Sequence, residues 1–412
     1  MDIITELSLT RELLVAAKQC GTSVQKSIAL LELASTCQKL ATQIIHHQYQ
    51  PQPHTRFAVS EPKLREIFAP AFADRIVQQW LVSHIEPTLE KRFIDDTYAC
   101  RKGKGALAAI KKVQRHMRQP GHHYFLQLDI HSYFNSIPRE GLTGCWQTIV
   151  QHTPLSEARR ELLEQVGAQI FLYDASCHPY TLSGARTRLN QIPPHKQLGF
   201  RGATHGIPIG SLTSQMLANF YLHPLDLFIK HELKVKGYVR YMDDLMLMGG
   251  TPTQLNQWRA DIKTFMSTQL GLRLHPTKQQ LQPISQGARY LGYRVFAHHC
   301  WLLPRTSNTF KQRLAWFNQL LQPRDIHINA PQRGLWARPE MRAPTPDLAL
   351  LRNMLATINS YYGLLRHGQH WRLRQQLYHQ HFGLLKGFFI PANAGYTHIK
   401  LKKCLLPPAC SP

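Results

Sequence analysis

Asp243 and Asp244 stand side by side between two apolar runs. Like charges that close repel, and need a proton or a cation to coexist. A third carboxylate, Asp129, ends the run Tyr124-Phe125-Leu126-Gln127-Leu128, which alternates as a half-buried strand does. Three converging carboxylates offer hard oxygen ligands to Mg²⁺, which also takes substrate phosphates. The chemistry such a set supports is two-metal phosphoryl transfer. One cation lowers the pKa of an attacking 3′-hydroxyl, and the other holds a triphosphate and stabilises the departing pyrophosphate. Each part alone has a plainer reading. An Asp pair in a turn accepts backbone hydrogen bonds, and a strand-terminal Asp caps the next helix. Both patterns in one chain point to chemistry.

The elements that must position these acids are legible nearby. Gly237 to Met242 reads as a strand, and Leu245 to Met248 reads as a second that stops at Gly249-Gly250. The two acids therefore tip a hairpin. Residues 211–233 read as a helix carrying Leu217, Phe220, Tyr221 and Leu225, with Pro224 as a kink or break. Asp74 to Val82 reads as an amphipathic helix. The stretch 173–205 carries Pro, Gly, His and Arg without period, and is expected to be a loop excursion.

With these residues in view, the chain resembles a bacterial reverse transcriptase over roughly residues 55–300, in the lineage of diversity-generating retroelements and defence-associated, retron-type enzymes. Tyr241-Met242-Asp243-Asp244 resembles motif C, and Asp129 through Phe134 resembles motif A. Gly206 through Gln215 resembles motif B, His275-Pro276-Thr277-Lys278 motif D, and Tyr290-Leu291-Gly292 the primer-grip turn of motif E. Glu61 to Arg65 and Arg101-Lys102-Gly103-Lys104-Gly105 resemble fingers motifs. Several motifs in order are a far stronger signal than any one of them.

The resemblance implies an α+β right-hand polymerase with fingers, an antiparallel palm sheet, a helical thumb and an N-terminal helical extension. It implies that Asp129, Asp243 and Asp244, with the Ile130 backbone carbonyl, hold two Mg²⁺ ions, Mn²⁺ being a substitute. Lys63, Arg65, Arg101 and Lys102 are then expected at the dNTP triphosphate or template, with Arg75 near them. Phe134 would be the bulky residue that rejects a 2′-hydroxyl, which disfavours an RNA-synthesising polymerase. Gly210, Ser214 and Gln215 would lie beneath the nascent base pair, and Lys278 is the candidate acid for pyrophosphate departure. Arg366, Trp371 and Arg372, where aromatics and cations interleave, resemble a thumb that tracks an RNA–DNA duplex.

One departure is informative. Many family members have Gln before the motif B glycine and Pro after its serine, where this chain has Ile209 and Gln215. A lost polar contact at the nascent pair implies relaxed fidelity.

The composition agrees with a polyanionic partner. Lys and Arg number 49 against 25 Asp and Glu, a formal net charge of +24 over 412 residues. At 18% charged and 43% hydrophobic, the chain reads as packed rather than disordered. A basic scaffold without chemistry would share the charge but would not need the ordered acids. The eight cysteines include no Cys-x-x-Cys pair, so no zinc spacing appears. The N-terminus lacks a basic and apolar leader, and no apolar run reaches membrane-spanning length, so a cytoplasmic protein without membrane contact is expected.

The expected organisation is an N-terminal helical extension over 1–52, fingers over 53–120, palm over 121–300, and thumb with a C-terminal extension over 301–412. The Pro-rich stretch 322–346, with Arg333, Arg338 and Arg342, reads as a linker, and Leu348 to Leu365 as a helix. No stretch reads as an RNase H, endonuclease or zinc-bearing maturase domain, which favours a small polymerase working on a dedicated structured noncoding RNA. Two roles fit: anti-phage defence, or error-prone copying in a diversity-generating retroelement. An accessory protein, a second polymerase or a second copy of the chain are the protein partners either role admits.

Overall fold

The computed structural model describes residues 4–20, 23–60, 63–322 and 347–402, with the side chains of 23–31 left out. Glu61, Pro62, Arg333, Arg338, Arg342 and most of the Pro-rich stretch lie outside the described residues. The chain divides into two compact units, Met1–Pro283 and Ile284–Pro412. The division falls inside the span expected to be palm, so Tyr290-Leu291-Gly292 belongs to the second unit.

The first unit opens with helices α1 (Glu6–Gln19) and α2 (Ser23–Ile45). Thr5 caps α1 with its hydroxyl, and the helix buries Leu9, Leu13, Ala16 and Ala17 at helical spacing. After Pro51-Gln52-Pro53 come strands β1 (His54–Val59) and β2 (Arg65–Ala69), then the long helix α3 (Phe72–Arg92). Helix α4 (Ala106–Met117) leads into β3 (Tyr124–Ile130), whose Phe125, Leu126, Leu128 and Ile130 are buried. Three helices follow: the short α5 (Tyr133–Ser136), α6 (Arg139–Gln151) and α7 (Glu157–Leu172).

The stretch 173–205 is more than a loop. It supplies β4 (Tyr180–Leu182), which pairs in parallel with β1, and the short helix α8 (Arg186–Asn190). The sheet order β2-β1-β4 therefore joins chain from both sides of β3. Helix α9 (Leu212–Tyr221), capped by Ser211, is followed by a separate turn α10 (His223–Leu227). Pro224 sits in the first turn of α10, where its missing N–H costs nothing.

The hairpin β5 (Gly237–Tyr241) and β6 (Asp244–Gly249) follows, then α11 (Pro252–Gln269) and β7 (Leu274–Pro283). These strands form one four-stranded sheet in the order β5-β6-β3-β7, antiparallel throughout. Its core face packs on a single apolar cluster that includes Trp80, Trp146, Leu217, Leu245, Leu247 and Ile262.

The second unit begins with the small antiparallel sheet β8 (Ala288–Tyr290), β9 (Tyr293–Val295) and β10 (Cys300–Leu302). Helices α12 (Pro304–Leu320), α13 (Leu348–Arg366) and α14 (Trp371–Gln376) follow. Phe310, Leu314 and Phe317 of α12 share a core with Leu351, Met354, Ile358 and Tyr362 of α13. The unit closes with the hairpin β11 (Phe389–Pro391) and β12 (Ile399–Leu401).

Candidate active site

The register of the four-stranded sheet sets the acids. Asp129 on β3 pairs directly with Asp244 on β6, and Tyr241 pairs with Asp244 across the hairpin. Met242 and Asp243 are thus the two residues of a tight turn. Such turns need backbone in the left-handed region, and Met242 takes it with φ 55°. Ser132, three residues after Asp129, is also left-handed with φ 47°. Non-glycine residues pay steric strain there, so both turns beside the acids are held by their surroundings.

Burial and mutual repulsion both disfavour charge on the adjacent acids Asp243 and Asp244. Burial pushes the Asp244 carboxyl up to about 8, with repulsion from Asp243 and Asp129 added against a hydrogen bond from Gln127. Burial and the Asp129 charge push Asp243 up as well, opposed by Arg65 and Lys278. Gln127 Nε2 donates to both carboxylate oxygens of Asp244, at 3.0 and 3.2 Å. Lys278 Nζ lies 3.2 Å from both oxygens of Asp129.

Among the described residues, no three His, Cys, Asp or Glu side chains are arranged as a closed metal cage. Asp129 instead accepts from Lys278, and Asp244 from Gln127. The donor set still fits a divalent cation: all donors are hard carboxylate oxygens, and their mutual repulsion is what a cation relieves.

Other residues singled out from the sequence divide into two groups. Lys63 and Arg65 are exposed, and their charges act on Asp244 and Asp243. Phe134 is half-buried beside Tyr133, at a ring separation of 5.8 Å, and its carbonyl accepts from Ile207 N. The loop expected to cradle phosphates behaves differently. The Arg101 side chain is 6% exposed and pairs with Glu90 at 2.9 Å. Its remaining bonds go to the Ile94 and Thr97 carbonyls. In this structure that guanidinium is engaged by Glu90 and the two carbonyls. Lys102 is exposed but pairs with Glu86, and Lys104 pairs with Asp95. Arg75 lies over the Phe72 ring.

Motif B is anchored from behind. Phe68 N donates to Ile209 O at 2.9 Å, joining β2 to the loop. A Cβ on Gly210 would stand 2.9 Å from Ile67 Cγ2 and Phe68 O, so its glycine serves this strand contact. Ser214 is buried and lines a small cavity with Tyr49, His54, Asp74 and Gln78, whereas Gln215 is exposed.

In the second unit, Leu291 and Gly292 form the left-handed turn between β8 and β9, and Tyr290 is buried. Arg366 ends α13 exposed, and Arg372 is exposed on α14. Trp371 is 47% exposed, its indole N–H donating to Ala394 O.

Sequence reasoning missed Gln127, Arg240, Asp226 and Asn219. Gln127 was discoverable: two residues before Asp129 on a strand, it shares that residue's face. Arg240 Nη1 donates to Met242 O at 3.0 Å, directly behind the acidic turn.

A family model described as "Reverse transcriptase (RNA-dependent DNA polymerase)" matches residues 60–295. Protein YkfC of Escherichia coli (strain K12) is 25% identical over 311 residues, covering 66% of this chain and 74% of its own. Group II intron-encoded protein LtrA of Lactococcus lactis subsp. cremoris is 22% identical over 340 residues, covering 67% of this chain. This chain spans 52% of that relative's length. Among solved structures, a telomerase from Candida albicans in complex with a fragment of telomeric RNA aligns with a TM-score of 0.43 and 11% identity. That alignment covers 81% of this chain and 60% of the telomerase. The α+β architecture, with its antiparallel sheet carrying the acids, is that of a right-hand polymerase, and the chain belongs to the reverse transcriptase family.

Proposed function

We propose that this chain is an RNA-directed DNA polymerase that adds dNTPs to a 3′-hydroxyl on a dedicated structured noncoding RNA. The observation that carries the reading is the pairing of Asp129 with Asp244 across β3 and β6, with Asp243 at the adjoining turn. Asp129, Asp243 and Asp244, with the Ile130 carbonyl, would hold Mg²⁺, for which Mn²⁺ would substitute. Bound there, the cations supply activation of the 3′-hydroxyl and neutralise charge on the triphosphate.

The chain's own residues do the rest. Lys63 and Arg65 bring positive charge to the acids' side where phosphates enter. Lys278 Nζ, beside Asp129, is placed to give a proton to the departing pyrophosphate. Phe134 crowds a ribose 2′-hydroxyl and so selects deoxynucleotides. Arg366, Trp371 and Arg372 hold the RNA–DNA duplex by backbone and stacking contacts.

The biological role we assign is anti-phage defence, supported by the two-helix N-terminal region and the helical second unit beyond the family match. A second reading, error-prone copying in a diversity-generating retroelement, is favoured by Ile209 and Gln215. Purification from the native locus, with sequencing of every nucleic acid retained, tests the proposal. One structured RNA with attached or paired cDNA supports it, and the cDNA errors separate the two roles. Heterogeneous RNA without DNA product contradicts it and favours a binding scaffold.

A further inference from the structure

Behind the acidic turn lies a buried polar network that the chemistry above does not use. Arg240 and Asp226 are both 0% exposed. A guanidinium has five N–H donors, and here each is used. Nε reaches Asp226 Oδ1 at 2.7 Å, and Nη2 reaches Asp226 Oδ2 at 2.5 Å and the Asn219 carbonyl at 3.0 Å. Nη1 donates to Asn219 Oδ1 at 2.8 Å and to Met242 O at 3.0 Å.

The acceptors are shared with the rest of the first unit. Asp226 also accepts from Tyr238 Oη at 2.7 Å and Thr97 Oγ1 at 3.0 Å. Asn219 Nδ2 donates to Ala99 O at 2.7 Å. The main chain repeats the link, Arg240 N donating to Asp96 O and Tyr98 N to Arg240 O, both at 2.9 Å. The Arg240 side chain thus touches α9, α10 and the turn that carries Asp243, and its main chain joins the segment 96–99.

Apolar residues of similar volume usually stabilise a core as well as a buried ion pair does. What apolar residues cannot supply is the bond to Met242 O, beside the strained φ of 55°. We infer that Arg240 is a positioning residue, whose guanidinium fixes the Met242-Asp243 turn for catalysis and ties it to the fingers segment 96–99 through Asn219 and Asp226. The inference rests on the polymerase reading above. A turn free to leave its left-handed conformation moves Asp243 relative to Asp129. Misplacement by about 1 Å costs a reaction about 100-fold.

The test uses the full chain on a DNA primer annealed to an RNA template, with dNTPs and Mg²⁺. Arg240→Lys keeps a cation beside Asp226, but its single nitrogen cannot serve Asp226, Asn219 and Met242 together. The expected result is a cooperative melt, duplex Kd and dNTP KM within about threefold of the native chain, and kcat lower by about 100-fold. The Mg²⁺ concentration for half-maximal rate should also rise, which a purely structural role would not produce. If Arg240→Lys does not fold, the apolar variant Arg240→Met with Asp226→Leu and Tyr238→Phe is judged by the same criteria. A folded variant with native kcat and Mg²⁺ dependence overturns the inference. So does failure of both variants to melt cooperatively, because the network is then a folding element alone. A native chain that extends no primer contradicts the polymerase reading instead.

Discussion

Lys278 Nζ lies 3.2 Å from both carboxylate oxygens of Asp129, joining β7 to the acid at the end of β3. The pair is solvent-accessible on the lysine side, so it adds under about 1 kcal/mol to stability. The role proposed for it is chemical. Lys278→Ala should leave the melting temperature nearly unchanged while lowering the single-turnover rate by about 100-fold, as removal of a proton donor does. Rapid-quench incorporation checks this. An unaltered rate would show that Lys278 only neutralises Asp129.

Gly210 is the position where the loop before α9 meets β2. Its φ is 123°, and an added Cβ would press on Ile67 and Phe68 O at 2.9 Å. Gly210→Ala should cost about 1–3 kcal/mol, the usual range for forced backbone strain. Gly103 is also left-handed, but a Cβ there meets nothing within 4 Å, so Gly103→Ala should cost less. Parallel thermal melts compare the two, and equal losses would contradict the packing argument.

The ion pair of Arg139 and Asp174, 2.9 Å apart and buried, gives a pH signature. Burial would raise the Asp174 carboxyl, but Arg139 and Ser176 hold it down at about 2. A depressed carboxylate contributes stability above its unfolded pKa and loses it as pH falls through the folded value. Asp174→Asn should therefore be less stable than the native chain by about 2 kcal/mol above pH ~4. The difference should close as pH approaches about 2. Denaturant midpoints measured across that window check it. A difference that persists in acid would place the loss in packing.

By its resemblance to motif B, Ile209 is proposed to stand where an amide would reward a correct base pair. Its main-chain carbonyl is already engaged by Phe68 N, so a side-chain change leaves the loop anchored. Ile209→Gln should lower misincorporation by about tenfold, the scale of one added polar discrimination. Sequencing of cDNA from both forms measures this. Ordinary native fidelity, unchanged in the variant, would remove the relaxed-fidelity reading.

The residues of the candidate site stand out in the sequence because their signals are local. Alternation marked β3, apolar runs ending at Gly249-Gly250 marked the β5–β6 hairpin, and acids interrupted both patterns. What escaped were partners distant in sequence. Arg240 looked like a polar lapse in an apolar strand, although its partners Asp226 and Asn219 lie on the preceding helices. Arg101 looked free in its glycine-rich loop, because nothing local announces that Glu90 turns inward to meet it. The strand β4 is three residues long and pairs in parallel with β1, so neither period nor length revealed it. Gly210 was expected beneath a nascent base pair, and its contact with β2 was visible only in the fold.

The most direct test of the central claim is single-nucleotide addition to a DNA primer on an RNA template, comparing the native chain with Asp243→Ala/Asp244→Ala. The account predicts Mg²⁺-dependent extension by the native chain and a loss of at least about 1000-fold in the variant, with duplex binding retained. Residual synthesis near the native rate in a folded double variant would contradict it, because the chemistry would then lie elsewhere.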